Sequence, residues 1–339
     1  MIRSGARTFK GRGSRNRQPA RGTLTTGGPP MGGKERVAYC NGEIVPESEV
    51  MVSFRDRSFK YGDGVFDVAR TFGGRIFKLQ EHVDRLYASL KYMGIDPGLS
   101  PETVMQLTQE VTEQNLPLLK ADEDYWVAQR ISRGEEVPEG DIQDSREPMV
   151  IIECTPLPLK ARAPLYRDGI EIFFPSVRRT PPDSISPNVK VHHYLNLILA
   201  DLEVRSHSPN AWAILLDTRG FLSEGMGSNL FLVRHGVLYT PRGEYVLEGV
   251  SRQTVIELAG ELGIDVVERD LTPLDASRAD EAFVTSTSFC ICPVQSFNNK
   301  PVQNETVTGP VTQRLTDAFS SLVEYDFVGQ YLAHLDREP

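Results

Sequence analysis

Ser186-Pro187-Asn188-Val189-Lys190-Val191-His192-His193-Tyr194-Leu195-Asn196, followed downstream by Leu222-Ser223-Glu224-Gly225-Met226-Gly227-Ser228-Asn229-Leu230, decides how this chain is read. Lysine is ordinarily a surface residue, yet Lys190 stands between Val189 and Val191 and four positions before Tyr194. Glu224 precedes Gly225 and Gly227, which let the backbone come close to another group. Thr218-Arg219-Gly220 already supplies a turn just upstream, so a second turn there is redundant. An amine in apolar company can serve as nucleophile and proton carrier, and a carboxylate held by a close-approaching backbone can hold a proton opposite it.

Outward from this pair, Gly249-Val250-Ser251 opens a helical pattern through Val255, Leu258 and Ala259 that Gly263 closes. The free N–H groups and positive end of such a helix attract an anion, and Ser251 adds a hydroxyl. Thr285-Ser286-Thr287-Ser288 is a second hydroxyl-rich segment. Arg85 stands in Glu81-His82-Val83-Asp84-Arg85-Leu86, on a helical pattern that begins at Leu79. Taken singly, these are an N-cap, a polar loop and a helix-surface arginine.

Together the segments resemble the class IV (fold type IV) pyridoxal-phosphate aminotransferases, a family that includes branched-chain, D-amino-acid and (R)-amine transaminases and aminodeoxychorismate lyase. The resemblance runs from about Val37 to about Val328. It implies an α/β (α+β) two-domain fold, pyridoxal 5'-phosphate as cofactor, and Lys190 as the amine that carries it and later moves the substrate's α-proton. It places Glu224 beside the pyridine nitrogen, and Tyr194, on the same face of a following helix as Lys190, near the ring hydroxyl. Leu247 would pack on the ring. Arg85, Val250, Ser251, Ser286, Thr287 and Ser288 would form the phosphate cup. His192 and His193 are read as packing or supporting residues rather than bases.

The same resemblance assigns Tyr61, Phe66, Val68, Trp126 and Ala128 to the substrate pocket. Val68 stands where the L-branched-chain enzymes usually carry glycine and the D-amino-acid and (R)-amine enzymes valine. The expectation is therefore a D- or (R)-selective transaminase moving an amino group from an amino acid or (R)-amine to a 2-oxo acid. A branched-chain L-amino-acid aminotransferase and a lyase of the same fold, releasing pyruvate without an acceptor, are the alternatives. Ala128 replaces a charged residue of the family, which leaves Arg55, Arg57, Arg130 and Arg179 as candidates for a substrate carboxylate. A homodimer with its active site near the subunit interface is implied as well.

Composition agrees with a globular enzyme. The 339 residues are 40% hydrophobic and 24% charged, with a net charge of −9, which argues against a dedicated nucleic-acid or membrane binder. Four scattered cysteines form no disulfide framework, and Cys290-Ile291-Cys292 lacks the further ligands of a metal site, so free thiols in a cytoplasmic protein are expected. Residues 1–36 are expected to be a disordered basic leader: eight Arg and Lys residues and no acid precede Glu35. A transit peptide and a nucleic-acid tail are alternatives there, and an over-extended start before Met31 is preferred. A small N-terminal α/β domain is expected over 37–155, a proline-stiffened linker over 156–165, and a larger cofactor-binding domain over 166–339. Gly225-Met226-Gly227 lacks the third glycine of a dinucleotide fingerprint, and no P-loop is present.

Overall fold

The computed structural model describes residues 35–208, 211–303 and 306–335. Most of the expected leader therefore lies outside the described residues. The rest is an α+β arrangement of two sheets.

The first sheet contains β1 (Val37–Cys40), β2 (Glu43–Pro46), β3 (Gly64–Phe72), β4 (Arg75–Ile76), β5 (Tyr125–Ser132) and β6 (Val150–Pro156), in the order β2-β1-β6-β5-β3-β4. Asn41 and Gly42 take φ of 45° and 107°, the doubly positive pair that a tight β1–β2 hairpin requires. After the short α1 (Arg57–Tyr61) come α2 (Leu79–Met93) and α3 (Pro101–Asn115). Gly94 ends α2 in the left-handed region at φ 61°, while the Ser100 hydroxyl caps α3 by accepting from Thr103 N–H. Val83, Leu86 and Leu90 of α2 meet Val65, Val127, Ile131 and Ile152 of the sheet in one buried cluster.

The second sheet contains β7 (Ile170–Phe173), β8 (Ala211–Ala213), β9 (Glu224–Gly225), β10 (Ser228–Arg234), β11 (Val237–Thr240), β12 (Val266–Glu268), β13 (Glu281–Ser286), β14 (Cys290–Phe297) and β15 (Lys300–Pro301). Its main path runs β12-β11-β10-β13-β14-β7-β8, with β9 on β10 and β15 on β14. The helices of this half are α4 (Leu159–Asp168), α5 (Leu195–Arg205), α6 (Val250–Glu261), α7 (Pro273–Ser277), α8 (Pro310–Val323) and α9 (Phe327–Leu332). Val255 and Leu258 of α6 and Phe319 of α8 join Leu230, Phe231 and Phe283 in the larger core. Cys290 and Cys292 are buried within it as free thiols, and burial raises both, Cys290 to about 11.

The segment 156–165, expected as a proline-stiffened linker, is helical from Leu159 onward. Leu159, Ala163 and Tyr166 share a buried helical face and Leu165 is buried as well, so α4 forms with Pro164 inside it. Helix α5 is apolar on two sides. It buries Leu197, Ala200 and Val204 against β8 and exposes Leu195, Ile198, Leu199 and Leu202 on its other side.

Candidate active site

Lys190 and Tyr194 do not share a helix, contrary to the expectation, because α5 starts only at Leu195. Residues 186–194 are instead drawn onto the start of β3. Val191 bridges Val65, Phe66 N–H donates to the Lys190 carbonyl (3.0 Å), and His192 N–H donates to the Gly64 carbonyl (2.9 Å). The Lys190 N–H donates to Ser89 Oγ on α2 at 3.1 Å, so main-chain bonds hold this lysine from two elements. Its side chain is nearly buried, and Nζ donates to the Tyr194 hydroxyl at 3.1 Å. Nζ also lies 4.7 Å from the centre of the Phe66 ring. The expected proximity of amine and phenol is present, reached by a turn rather than a helix.

Glu224 faces the same cleft. One carboxylate oxygen accepts from Arg179 Nε at 2.8 Å and the other from the Leu247 main-chain N–H at 2.9 Å. Leu247 thus lines the cleft and also orients the acid. Gly225 and Gly227 line the cleft as well, and each also has a local role. A Cβ on Gly225 would come within 2.6 Å of the Ala213 carbonyl and of Ser228 Oγ, so its absence permits strand packing. Gly227, at φ 77°, turns β9 into β10.

The anion-attracting groups converge on the cleft as expected. Val250 and Ser251 stand at the start of α6, which no side chain caps. Thr285, Ser286 and Thr287 form the facing wall, and the Thr285 hydroxyl is buried without a protein partner among the described residues. The Thr287 hydroxyl donates to the Val68 carbonyl at 3.1 Å, which ties this wall to β3. Ser288 lies behind the wall, its hydroxyl 3.0 Å from that of Tyr331, and does not line the cleft.

Arg85 lines the cleft too, anchored by a residue that the sequence reading missed. Its Nε and Nη2 donate to the two oxygens of Asp67 at 2.8 and 2.7 Å, and Nη1 donates to the Glu248 carbonyl at 3.0 Å. His82 Nδ1 is 2.7 Å from the same carboxylate. Burial alone would raise Asp67, but the neighbouring Arg85 and His82 outweigh it and hold the acid well below the usual carboxylate range. His82 is lowered, because burial outweighs the pull of Asp67. The clue in the sequence was an acid inside the apolar run of β3.

The five residues assigned to the substrate pocket fall outside this cleft. Phe66 is nearest, one ring away from Lys190 Nζ. Val68 pairs with Ala128 across β3 and β5, and its carbonyl accepts from Thr287 on the cleft wall. Trp126 packs toward the second core, with Arg162 of α4 5.0 Å from its ring centre. Tyr61 is exposed on α1, where its hydroxyl donates to Glu136. His192 stands beside Phe66, bonded through Nδ1 to the Ser58 hydroxyl, and burial with help from the Arg130 charge lowers it to about 4.

Comparison with known proteins places this geometry. Residues 64–297 match the family described as amino-transferase class IV, a span that contains Arg85, Lys190, Glu224 and the hydroxyl wall. The chain belongs to the class IV aminotransferases. Among the relatives of this aminotransferase is a putative branched-chain-amino-acid aminotransferase of Methanocaldococcus jannaschii, 37% identical over 84% of this chain and 95% of that protein. The branched-chain-amino-acid aminotransferase of Escherichia coli K12 is 32% identical over 84% of this chain and 92% of its own length. The crystal structure of the E. coli branched-chain enzyme matches at a TM-score of 0.77 with 31% identity, over 86% of this chain and 95% of that one. A T.th. branched-chain amino acid aminotransferase complexed with N-(5'-phosphopyridoxyl)-L-glutamate matches at 0.77 with 26% identity, over 86% and 95%. The fold is that of the fold type IV aminotransferases, and the class IV aminotransferase is a pyridoxal-phosphate-dependent transaminase.

These relatives do not support the leaning toward D- or (R)-selectivity, and the branched-chain alternative stands closer to them. They carry branched-chain names, and one holds an L-amino-acid adduct.

The residues of the class IV aminotransferase also suit the cofactor. Thr285 Oγ1 is an orphaned buried acceptor and donor, α6 is uncapped, and Arg85 and Arg179 bring positive charge to a cleft that a phosphate would share with Lys190.

Proposed function

We propose that this chain is a branched-chain L-amino-acid aminotransferase, moving the amino group of leucine, isoleucine or valine to a 2-oxo acid. The observation that carries the reading is the convergence in one cleft of the Lys190 amine, the Glu224 carboxylate and the uncapped start of α6. Pyridoxal 5'-phosphate, when bound, supplies the electron sink for the pair left as the substrate's Cα–H bond breaks. Lys190 Nζ takes that proton and returns it, with the Tyr194 hydroxyl 3.1 Å away to orient the amine. Glu224, held by Arg179 and the Leu247 N–H, is the anion for a protonated ring nitrogen. Ser251, Ser286, Thr287 and Arg85 are the groups assigned to the phosphate. In this reading the small domain spans 37–155 and the cofactor-binding domain 166–339.

The test is a donor panel with 2-oxoglutarate as acceptor. L-Leucine should exceed D-alanine and (R)-1-phenylethylamine by at least about 100-fold in kcat/KM. Preference for either of the latter two would overturn the L-branched-chain reading, and acceptor-independent release of pyruvate from 4-amino-4-deoxychorismate would mark a lyase instead.

A homodimer belongs to the same proposal. It is supported by the outward apolar face of α5 (Leu195, Ile198, Leu199 and Leu202) and by exposed Met51, Phe54 and Phe59, side chains that a second copy would cover. Sedimentation should show two copies at micromolar concentration, and a fully active monomer would refute the assignment. No helix among the described residues is long and apolar enough to cross a membrane, and buried free thiols favour the cytoplasm as the proposed compartment.

A further inference from the structure

Two main-chain groups of residues 243–248, the strap that leads into α6, hold side chains of the cleft. The Leu247 N–H donates to Glu224 at 2.9 Å, and the Glu248 carbonyl accepts from Arg85 Nη1 at 3.0 Å. Because both are backbone groups, the course of the strap decides where the acid and the guanidinium stand.

A side chain that does not line the cleft fixes that course. Asn188 Oδ1 accepts from the Glu248 N–H at 2.9 Å, and Asn188 Nδ2 donates to the Gly243 carbonyl at 3.0 Å. One amide therefore ties both ends of the strap, using its acceptor at one end and a donor at the other. The middle of the strap has ties of its own. Ser223 Oγ donates to the Tyr245 carbonyl at 2.8 Å, and Asn229 Nδ2 donates to the Leu247 carbonyl at 2.9 Å. The Arg219 guanidinium lies 3.9 Å from the Tyr245 ring centre. Ser223 and Asn229 come from the Glu224 side, one preceding the acid and the other pairing with it across β9 and β10. Asn188 comes from the lysine side, two residues before Lys190.

We propose that Asn188 is a positioning residue, which sets the Glu224 carboxylate and the Arg85 guanidinium relative to Lys190 by clamping the 243–248 strap. It reaches Glu224 through Leu247 and Arg85 through Glu248, and it touches neither directly. The inference rests on the cofactor reading above, in which Arg85 serves the phosphate and Glu224 the ring nitrogen.

The test uses the full chain and reads cofactor binding rather than turnover. In Asn188→Ala the Kd of pyridoxal 5'-phosphate should rise about tenfold, the effect of one well-made hydrogen bond lost from the support of Arg85. The pH midpoint of the holoenzyme's visible absorbance should rise by about half a unit. A displaced Glu224 leaves the ring nitrogen less firmly charged, so the nitrogen joined to Lys190 keeps its proton to higher pH. Asn188→Asp keeps the acceptor for the Glu248 N–H and loses the donor to Gly243, so its Kd should rise only about threefold. That variant carries the test alone if Asn188→Ala does not fold. A Kd equal to that of wild type, or an unmoved midpoint, overturns the proposal. If wild type binds no pyridoxal 5'-phosphate, the functional reading fails and inorganic phosphate decides the clamp. Titrated by calorimetry, it should bind about tenfold more weakly to Asn188→Ala, and equal affinity overturns the proposal.

Discussion

Lys190→Ala should lower transamination by at least about 10⁴-fold, because it removes both a covalent attachment point and the base that moves the α-proton. The fold should survive the change. Residues 186–194 are held on β3 and α2 by the Lys190 N–H and carbonyl and by the Val191 bridge, none of which needs the side chain. The lost side-chain bond, from Nζ to the Tyr194 hydroxyl, is a single 3.1 Å contact in a solvent-reached cleft. Borohydride treatment of wild-type holoenzyme should therefore fix the cofactor mass to the peptide carrying residue 190, and the variant should show no such adduct. Activity within tenfold of wild type, or an adduct on another lysine, would remove Lys190 from its role.

The lysine was legible because its neighbours are local. Val189, Val191 and Tyr194 announce a buried amine within a few residues, and the structure keeps Nζ and the phenol together. The path between them was not legible. Helical spacing predicts a shared face at i and i+4, but pairing with the start of β3 is a contact across more than a hundred residues, and it overrides local propensity. The glycines after Glu224 show the same limit from the other side. Glycine reports that something comes close, and only the fold reveals that the neighbours at Gly225 are the Ala213 carbonyl and Ser228.

Partners of charged residues were the least readable. Arg179 was a candidate for a substrate carboxylate, yet it donates to Glu224 at 2.8 Å and so belongs to the support of the acid. Hydroxyl-rich Thr285-Ser286-Thr287-Ser288 read as one wall, whereas a turn after Ser286 sends Ser288 toward Tyr331. The prolines of 156–164 announced a stiffened linker, and the apolar spacing of Leu159, Ala163 and Tyr166 makes part of that segment a helix. In each case a non-local partner, absent from any short window, decided the outcome.

Asp67→Asn should cost about 3–5 kcal/mol of stability, the usual result of breaking a buried charge pair from one side. Asp67 is fully buried and accepts from Nε and Nη2 of Arg85, with the His82 imidazole beside it. An amide in its place would aim N–H groups at donors and leave the guanidinium without its counter-ion. Arg85 would then be held in the cleft mainly by its bond to the Glu248 carbonyl, so affinity for the phosphate-bearing cofactor should weaken along with stability. The pH dependence has a definite sign. Asp67 is held below the ordinary carboxylate range in the folded protein, so its contribution is complete above the unfolded value near about 4 and is lost as the pH falls toward its folded value. The gap between wild type and variant in denaturant unfolding should thus be full at neutral pH and close by about 1.4 kcal/mol per pH unit below about pH 4. His82 adds a separate slope to the wild-type curve: its folded value is lowered, so the unfolded chain takes up that proton first as the pH drops below about 6.5, and stability falls. Equal stability of the two proteins at neutral pH would show that Arg85 does not depend on this carboxylate, and a gap constant down to about pH 3 would show that the pair is not ionised as described.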